Sequence, residues 1–389
     1  MNYADANRLR AVLNSCGLKD ANEKSADLMI IVACSVRQKP IQRIWGKIRN
    51  WTRPVSGRGK QKKKIWITGC ILPDDKKKFI NKVDRVFEID EIGKIPKWLK
   101  LDNKLKIINN NGNVKLKNSS RLKFISSPSR DSNNNYLEIC PENSTTHHSL
   151  PTTQYLLPIM TGCNNFCSYC AVPYCRGPEI SRPIKNIINE LKQAIKSKYK
   201  RILLLGQNVN SYKITQKSKL KNQNYNLKLK TKKSDFVELL IEIEKMKGDF
   251  NFNFMTSHPK DFSDDLIRFL AKSKKWEREL HLPLQSGSDR ILKLMNRKYT
   301  IKQYLNLIKK LKLKIKNLKI STDIIVGFPT ETKKDFLATL KTLKTIKPAK
   351  VYVSQFSPRP GTNASKMKND ISANEKKRRW NIVNKAYNK

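Results

Sequence analysis

Four of the chain's eight cysteines fall in the thirteen-residue run CNNFCSYCAVPYC, from Cys163 to Cys175. Cys163, Cys167 and Cys170 have the spacing C-x3-C-x2-C. Thiolates are nucleophiles and soft metal ligands. Three of them on one short loop can wrap one face of a cubane, and [4Fe–4S] clusters are commonly held by four thiolates at such short spacings. With only three, one iron stays open, as a catalytic metal centre requires. The alternative is a structural zinc site with Cys175 as fourth ligand. Zinc usually takes close pairs divided by a long gap, and gaps of three, two and four in one run fit it poorly. A disulfide knot would need an oxidising compartment. The amino-terminal stretch MNYADANRLR has no apolar core of the secretory type, and no apolar run approaches the ~18 residues that span a bilayer. The chain reads as cytoplasmic, with no membrane segment.

The elements that must position these thiols follow from the apolar pattern. With 389 residues there is material for two or three domains. From residue 152 onward, strand-like runs alternate with helix-like ones. The strands are RILLLG, FNFMTS, ELHLPLQ, KISTDIIVGF and KVYVSQFS; the helices are 183–197, 235–247, 261–273, 300–315, 332–346 and 373–387. That rhythm predicts a partial or complete (β/α) barrel with its chemistry at the carboxyl ends of the strands. A Lys-rich insertion, 213–233, interrupts it as a surface loop. Residues 1–98 form a smaller α/β unit. NYADANRLRAVLNSCG has helical spacing, with Asn2 as N-cap and Gly17 as a stop. DLMIIVAC and KKIWITGC read as buried parallel strands on either side of a helix, PIQRIWGKIRNW. Cys34 and Cys70 end those strands, where ligands gather in open α/β sheets; as isolated residues they read first as small buried hydrophobes. Residues 99–151 are Lys, Asn and Ser with little periodicity, and are expected to be a low-complexity linker.

The formal charge of +48 points to a polyanionic partner such as RNA, since basic surfaces bind phosphates by displacing counterions. The excess is mostly Lys and comes with Asn runs such as NNNGN, which compositional drift toward A-rich codons also produces. Charge alone therefore leaves a zinc-stabilised basic RNA-binding protein open beside an enzyme.

The longer motifs narrow this. GCNNFCSYCAVPYCRGPEISRP resembles the cluster loop of radical S-adenosylmethionine (SAM) enzymes, specifically the methylthiotransferases. The likeness continues through LLLGQNVNSY, TSHPKDF, HLPLQSGSDRILKLMNRKYT, STDIIVGFPTET and SPRPGT, in that order. GQNVNSY and TSHP resemble the tRNA-modifying MiaB-type branch more than the sister branches that act on threonylcarbamoyladenosine in tRNA or on a ribosomal-protein aspartate. The resemblance implies an α/β architecture: a flavodoxin-like parallel-sheet domain, then a radical SAM (β/α) partial barrel. SAM would chelate the open iron held by Cys163, Cys167 and Cys170, and one electron would release a 5′-deoxyadenosyl radical. That radical would activate C2 of N6-isopentenyladenosine beside a tRNA anticodon. Sulfur from an auxiliary [4Fe–4S] cluster, for which Cys34 and Cys70 match ligand positions, would then be inserted, with a methyl group from a second SAM. Implied partners are the anticodon stem-loop of tRNA and an electron donor such as a flavodoxin or ferredoxin, with the protein a monomer.

Other positions are weighed on the same footing. Gly206, Gln207 and Asn208 end a strand, where amides can bind the amino or carboxylate group of a zwitterion; an ordinary turn is the alternative. Asp323 and Gly327 are implied contacts to the adenosyl part of the cofactor, although Asp323 could be a structural carboxylate. Tyr169 lies within the cluster loop and is grouped with the cofactor contacts. Gln285 is expected to touch cofactor, and Ser286 and Arg359 substrate, since Arg suits phosphate. Arg176 and Arg182 flank the cluster loop and could attract an anion. His258 and His281 read as hydrogen-bonded structural residues, and Cys175 as an unligated thiol. Cys16 and Cys140 match no ligand position. In the family, a third auxiliary thiolate lies in a GCQMN turn after an opening strand, whereas this chain begins MNYADANRL. One ligand and one central strand are therefore expected to be missing, as is the small carboxyl-terminal RNA-binding (TRAM-type) module.

Overall fold

In this computed structural model the described residues are 2–23, 25–34, 38–52, 63–101, 106–108, 114–116, 121–126, 154–214 and 234–388. The chain divides into two units: Met1–Leu137 with Arg359–Gly361, and Glu138–Pro358 with Thr362–Lys389. Cys140 and most of the insertion 213–233 lie outside the described residues.

The first unit is built on β1 (Lys19–Asp20), β2 (Leu28–Cys34), β3 (Lys64–Cys70) and β4 (Arg85–Val86). Further along come β5 (Lys106–Ile108), which pairs antiparallel with β6 (Val114–Leu116), and then β7 (Arg121–Ser126). The continuous apolar run of β2 is explained by burial on both faces, since side chains alternate across a sheet. Leu28, Ile30 and Val32 pack with Leu9 and Leu13 of the helix Asn2–Ser15 and with Ile95 and Leu99 of the helix Ile95–Leu101. Met29, Ile31 and Ala33 pack with Ile41, Ile44 and Ile48 of the helix Gln38–Thr52 and with Phe79 of Pro73–Ile80. The strand order is β1-β7-β2-β3-β4, all parallel. This is the 2-1-3-4-5 order of a flavodoxin-like sheet, with β7 in the place of strand one. The expected gap is therefore filled: Leu122 to Ser126 pair in register with Leu28 to Val32. Within the stretch 99–151, expected as a low-complexity linker, the described residues thus include a sheet strand, because backbone pairing can capture a segment whose composition gives no strand signal.

The second unit carries β8 (Gln154–Pro158), then β9 (Met160–Thr161) paired antiparallel with β10 (Ile180–Ser181). β11 (Arg201–Leu205), β12 (Asn251–Phe254), β13 (Glu279–His281), β14 (Lys319–Val326) and β15 (Lys350–Gln355) follow, separated by helices. The parallel order is β8-β11-β12 in one sheet and β13-β14-β15 in the other. A bridge from Phe252 to Trp276, just before β13, joins them into the wall of a six-stranded partial barrel. Five of the six expected helices match to within two residues at each end. The sixth starts later, at Asp264, because His258 Nδ1 accepts the Lys260 amide (3.2 Å) and closes a 3-10 turn over Pro259–Asp261. Along β14, Ile320, Thr322, Ile324 and Val326 are buried while Ser321, Asp323 and Ile325 between them are only half-buried. The apolar members of the buried set join the core under the helices, which leaves the opposite, more polar face of the strand toward the inside of the barrel.

Candidate metal and cofactor site

The β9–β10 ladder closes the base of a loop that runs from Gly162 to Glu179. Gly162 has φ +77°, and a Cβ there would lie 1.8 Å from the Pro178 carbonyl oxygen, so only glycine fits. Next to it, the Cys163 amide donates to Gly177 O (3.2 Å). The far side of the loop is pinned by the segment after the helix Asp289–Leu294. The Ser168 amide donates to Met295 O (3.1 Å), Ser168 Oγ to Leu294 O (2.8 Å), and Asn296 Nδ2 to Phe166 O (2.9 Å). A loop tied at both ends holds its sulfurs in place with little entropy left to lose on binding.

Cys163 and Cys167 are buried and Cys170 half-buried. Burial pushes the Cys163 thiol up and Cys170 up to about 12, and the other thiols of the loop add to both effects. Such thiols stay protonated on their own and lose their protons to a metal. Among the described residues, no three Cys, His, Asp or Glu side chains converge as the ligands of a single ion do. An all-thiolate set of three, each thiol within electrostatic reach of the others, fits a [4Fe–4S] cluster.

A second group of polar atoms lies beyond the carboxyl ends of β11, β12 and β13. Gln207 Oε1, Asn208 Oδ1, Ser257 Oγ, His258 Nε2 and Gln285 Oε1 are all buried and have no hydrogen-bond partner among the described residues. Each such orphan costs free energy, and five at successive strand ends mark a place completed by a polar ligand. Two non-glycine residues in the left-handed region, Thr256 (φ +67°) and Gln285 (φ +69°), lie there too. Two turns are laced together here. Asn210 Nδ2 donates to His258 O (3.0 Å) and its Oδ1 accepts the His258 amide (2.9 Å), while Asn208 Nδ2 donates to Asp261 (2.7 Å). Burial depresses the His258 pKa to about 2, with nearby Arg297 and Lys260 adding to the effect. Its ring is therefore neutral, and because Nδ1 is an acceptor the proton sits on Nε2, a buried donor. Gln207 and Asn208 follow the end of β11 and Gln285 the end of β13, and their orphan acceptors suit the amine of a zwitterion such as SAM.

The remaining expected residues are placed differently. Asp323 Oδ2 accepts from His281 Nε2 (3.2 Å), whose Nδ1 meets Ser321 Oγ (3.0 Å), and Asp323 stays partly exposed on the inner face of β14. Gly206 is covered by the Met160 side chain, and Gly327 by Lys376, with the Gly327 amide donating to Glu331 Oε2 (2.7 Å). Both glycines thus have a packing reason for being glycine. Ser286 is fully buried and shared among the Thr339 hydroxyl and the Ser288 amide, instead of facing substrate. Arg359 is counted with the first unit and pairs with Asp75 (3.1 Å) in a buried ion pair. Arg182 is tied to Pro158 O and Glu190, and Arg176 is half-buried beside the loop. The Tyr169 ring packs beside Met295, Phe328 and Phe356, and burial raises its pKa well above the usual value. Sequence reasoning gave Arg297 no role, although it lies in a quoted motif; it proves to touch Cys167 Sγ (3.4 Å).

Residues 157–343 match the family model described as the Radical SAM superfamily, and residues 1–89 that of Uncharacterized protein family UPF0004. Over its whole length the chain is 37% identical to the tRNA-2-methylthio-N(6)-dimethylallyladenosine synthase of Endomicrobium trichonymphae, covering 82% of that protein. The chain belongs to this synthase family. A synthase of the same name from Fusobacterium nucleatum subsp. nucleatum is 34% identical over all of this chain and 81% of its own length. Among solved structures, the radical SAM methyltransferase TsrM from Kitasatospora setae aligns with a TM-score of 0.48 at 10% identity, over 87% of this chain and 77% of that one.

Within this synthase chain, the Radical SAM match contains the three-thiol loop and the orphaned polar atoms, and the UPF0004 match contains Cys34 and Cys70. Those two cysteines are direct register partners at the carboxyl ends of β2 and β3, side by side on neighbouring parallel strands. Gly69, before Cys70, has φ +106°, and a Cβ there would meet Ala33 O at 2.5 Å. The close approach of the two strand ends depends on that glycine.

Proposed function

We propose that this chain is a radical SAM methylthiotransferase that adds a methylthio group to C2 of N6-isopentenyladenosine next to the anticodon of tRNA. The observation that carries the reading is the loop of Cys163, Cys167 and Cys170, tied at both ends and set at the mouth of a six-stranded partial barrel. These three thiolates are assigned to one [4Fe–4S] cluster, and Cys34 and Cys70 to an auxiliary one. When bound, the first cluster supplies the electron and the open coordination site that convert SAM to a 5′-deoxyadenosyl radical.

The chain's own residues orient and shield. Gln207, Asn208 and Gln285 offer acceptors to the methionyl amine of SAM, and His258 Nε2–H offers a donor. Their burial keeps bulk solvent, and the reductants and other hydrogen donors dissolved in it, away from the reacting centre. The polar pair His281–Asp323, on the inner face of the barrel, is placed to receive the base after it leaves its stack, a cost that is small in a single-stranded loop. The excess of cations, 80 Lys and Arg against 32 Asp and Glu, supplies the sequence-independent attraction to tRNA. The reading places the protein in the cytoplasm as a monomer, fed by a flavodoxin- or ferredoxin-like donor; no helix among the described residues is long and apolar enough to cross a membrane.

The test has two arms. Anaerobic reconstitution of the wild type should give a brown protein that cleaves SAM on reduction, and Cys163→Ala, Cys167→Ala or Cys170→Ala should each abolish cleavage. Mass spectrometry of tRNA from cells lacking and regaining the gene should show methylthio-isopentenyladenosine disappear and return. Unchanged cleavage in the three alanine variants, or an unchanged nucleoside, would remove the reading.

A further inference from the structure

Arg297 is 8% exposed and sits beside the cluster loop, with no acidic partner among the described residues. Its hydrogen bonds run to Cys167 Sγ from Nη1 (3.4 Å), to Pro283 O from Nη2 (3.2 Å) and to the Tyr299 hydroxyl from Nε (3.1 Å). Tyr299 in turn donates to Leu284 O (2.8 Å), so the guanidinium plane is fixed by two neighbours that carry no charge. Elsewhere in this unit a buried arginine is matched: Arg379 meets Glu331 (2.6 Å) and Glu375 (2.7 Å), both carboxylates. An arginine does not shed its proton in a protein, and a buried charge without a counter-charge is strongly destabilising. The partner Arg297 lacks must be something the loop acquires.

We infer that Arg297 is a positioning residue whose fixed positive charge is the counter-ion of the cluster bound by Cys163, Cys167 and Cys170, and that it raises the reduction potential of that cluster. This rests on the ligand assignment made above. A cubane on three thiolates is net negative and becomes more so when it takes up an electron. A cation held against one ligand sulfur stabilises the reduced form more than the oxidised form, and a hydrogen bond to that sulfur acts in the same direction. Because the group is buried, salt does not screen it. The clip from Cys167 to Pro283 also holds the sulfur against the strand end that leads to Gln285, but a purely mechanical clip would leave the potential where it is.

The experiment is an anaerobic redox titration of the reconstituted full chain with dithionite, following the reduced cluster by electron paramagnetic resonance. Arg297→Gln keeps an amide that can reach Pro283 O and removes the charge. At a fixed potential the ratio of reduced to oxidised cluster should fall at least tenfold, a midpoint lower by about 59 mV or more for one electron. Arg297→Lys keeps the charge but loses the forked contact to sulfur, and should move the same way by less. If Arg297→Gln takes up less iron than the wild type, the lysine variant is the one titrated. An unchanged midpoint in an iron-loaded variant overturns the inference. Cys167→Ala, measured alongside in a chain that also carries Cys34→Ala and Cys70→Ala so that no auxiliary cluster contributes, separates the two claims: if it still holds a redox-active cluster, the ligand assignment has failed; if it loses the cluster while Arg297→Gln in the same background titrates like its parent, only the arginine's role has failed.

Discussion

Gly162→Ala is a one-methyl perturbation aimed at the base of the cluster loop. At φ +77° an alanine adopts a left-handed conformation that costs about 1–2 kcal/mol. The added carbon would also lie 1.8 Å from Pro178 O, 2.5 Å from Pro178 C and 2.7 Å from Gly177 O, all backbone atoms that cannot rotate away. Restoring ordinary contact at 3.4 Å means moving that peptide by about 1.6 Å, the difference between 3.4 and 1.8. Gly177 O is the acceptor of the Cys163 amide, so the first thiol moves with it. A sulfur displaced that far cannot keep a metal–sulfur bond, since ligand distances hold to within ~0.2 Å. The barrel core lies elsewhere and should survive, with the melting temperature lower by roughly 2–8 °C from the backbone term alone. Visible absorption and iron content after anaerobic reconstitution, beside circular dichroism, make the assay. Iron uptake and melting both equal to the wild type would show that the close approach is not a constraint, and the reasoning from the turn to the metal would fail.

Other outcomes follow from the same geometry. The unfolded chain protonates His258 below pH 6.5 while the native one stays neutral down to about 2, so stability is full above 6.5 and is lost as the pH falls toward 2. From 6.5 to 5 this amounts to about 2 kcal/mol, at 1.36 kcal/mol per pH unit; urea unfolding of metal-free protein at pH 7 and 5 should show a flatter pH dependence in His258→Gln. Removing one partner of the buried Glu331–Arg379 pair, as in Arg379→Met, should cost about 3–5 kcal/mol and loosen the Gly327 turn, read as a lower urea midpoint. Ile125→Pro, inside β7 and opposite Ile31 of β2, should destabilise the sheet, since proline cannot donate to the ladder of a paired strand. Hydrogen exchange of the amides of Leu28 to Val32 would quicken if that pairing exists and stay slow if it does not.

Much of the barrel could be read from the chain because its helices carry strong apolar periodicity and several are signed at their starts. Thr300 with Gln303, and Thr332 with Asp335, are reciprocal caps that fix a helix start within a residue. β13 is shorter than ELHLPLQ suggested, since Pro283 cannot donate to the ladder and Gln285 turns left-handed. β7 was not legible: RLKFIS sits among Lys, Asn and Ser, and its strand form comes from pairing with distant residues. The three thiols announce themselves by spacing. Arg297 does not, since one more arginine in a chain with 80 basic residues carries no local signal until its neighbours are seen. Ser286 and Arg359 looked like substrate contacts by their place in motifs, but burial commits both to the protein's own hydrogen bonds.

The placement of β7 also sets an order of events during synthesis. β1 and β2 are neighbours along the chain yet are kept apart by a strand that leaves the ribosome some ninety residues after β2. Until then the edge of β2 stands unpaired, a template for any passing extended segment. Fusing a soluble partner after residue 100 would freeze the nascent unit with that edge exposed, whereas a fusion placed beyond residue 126 would let it close.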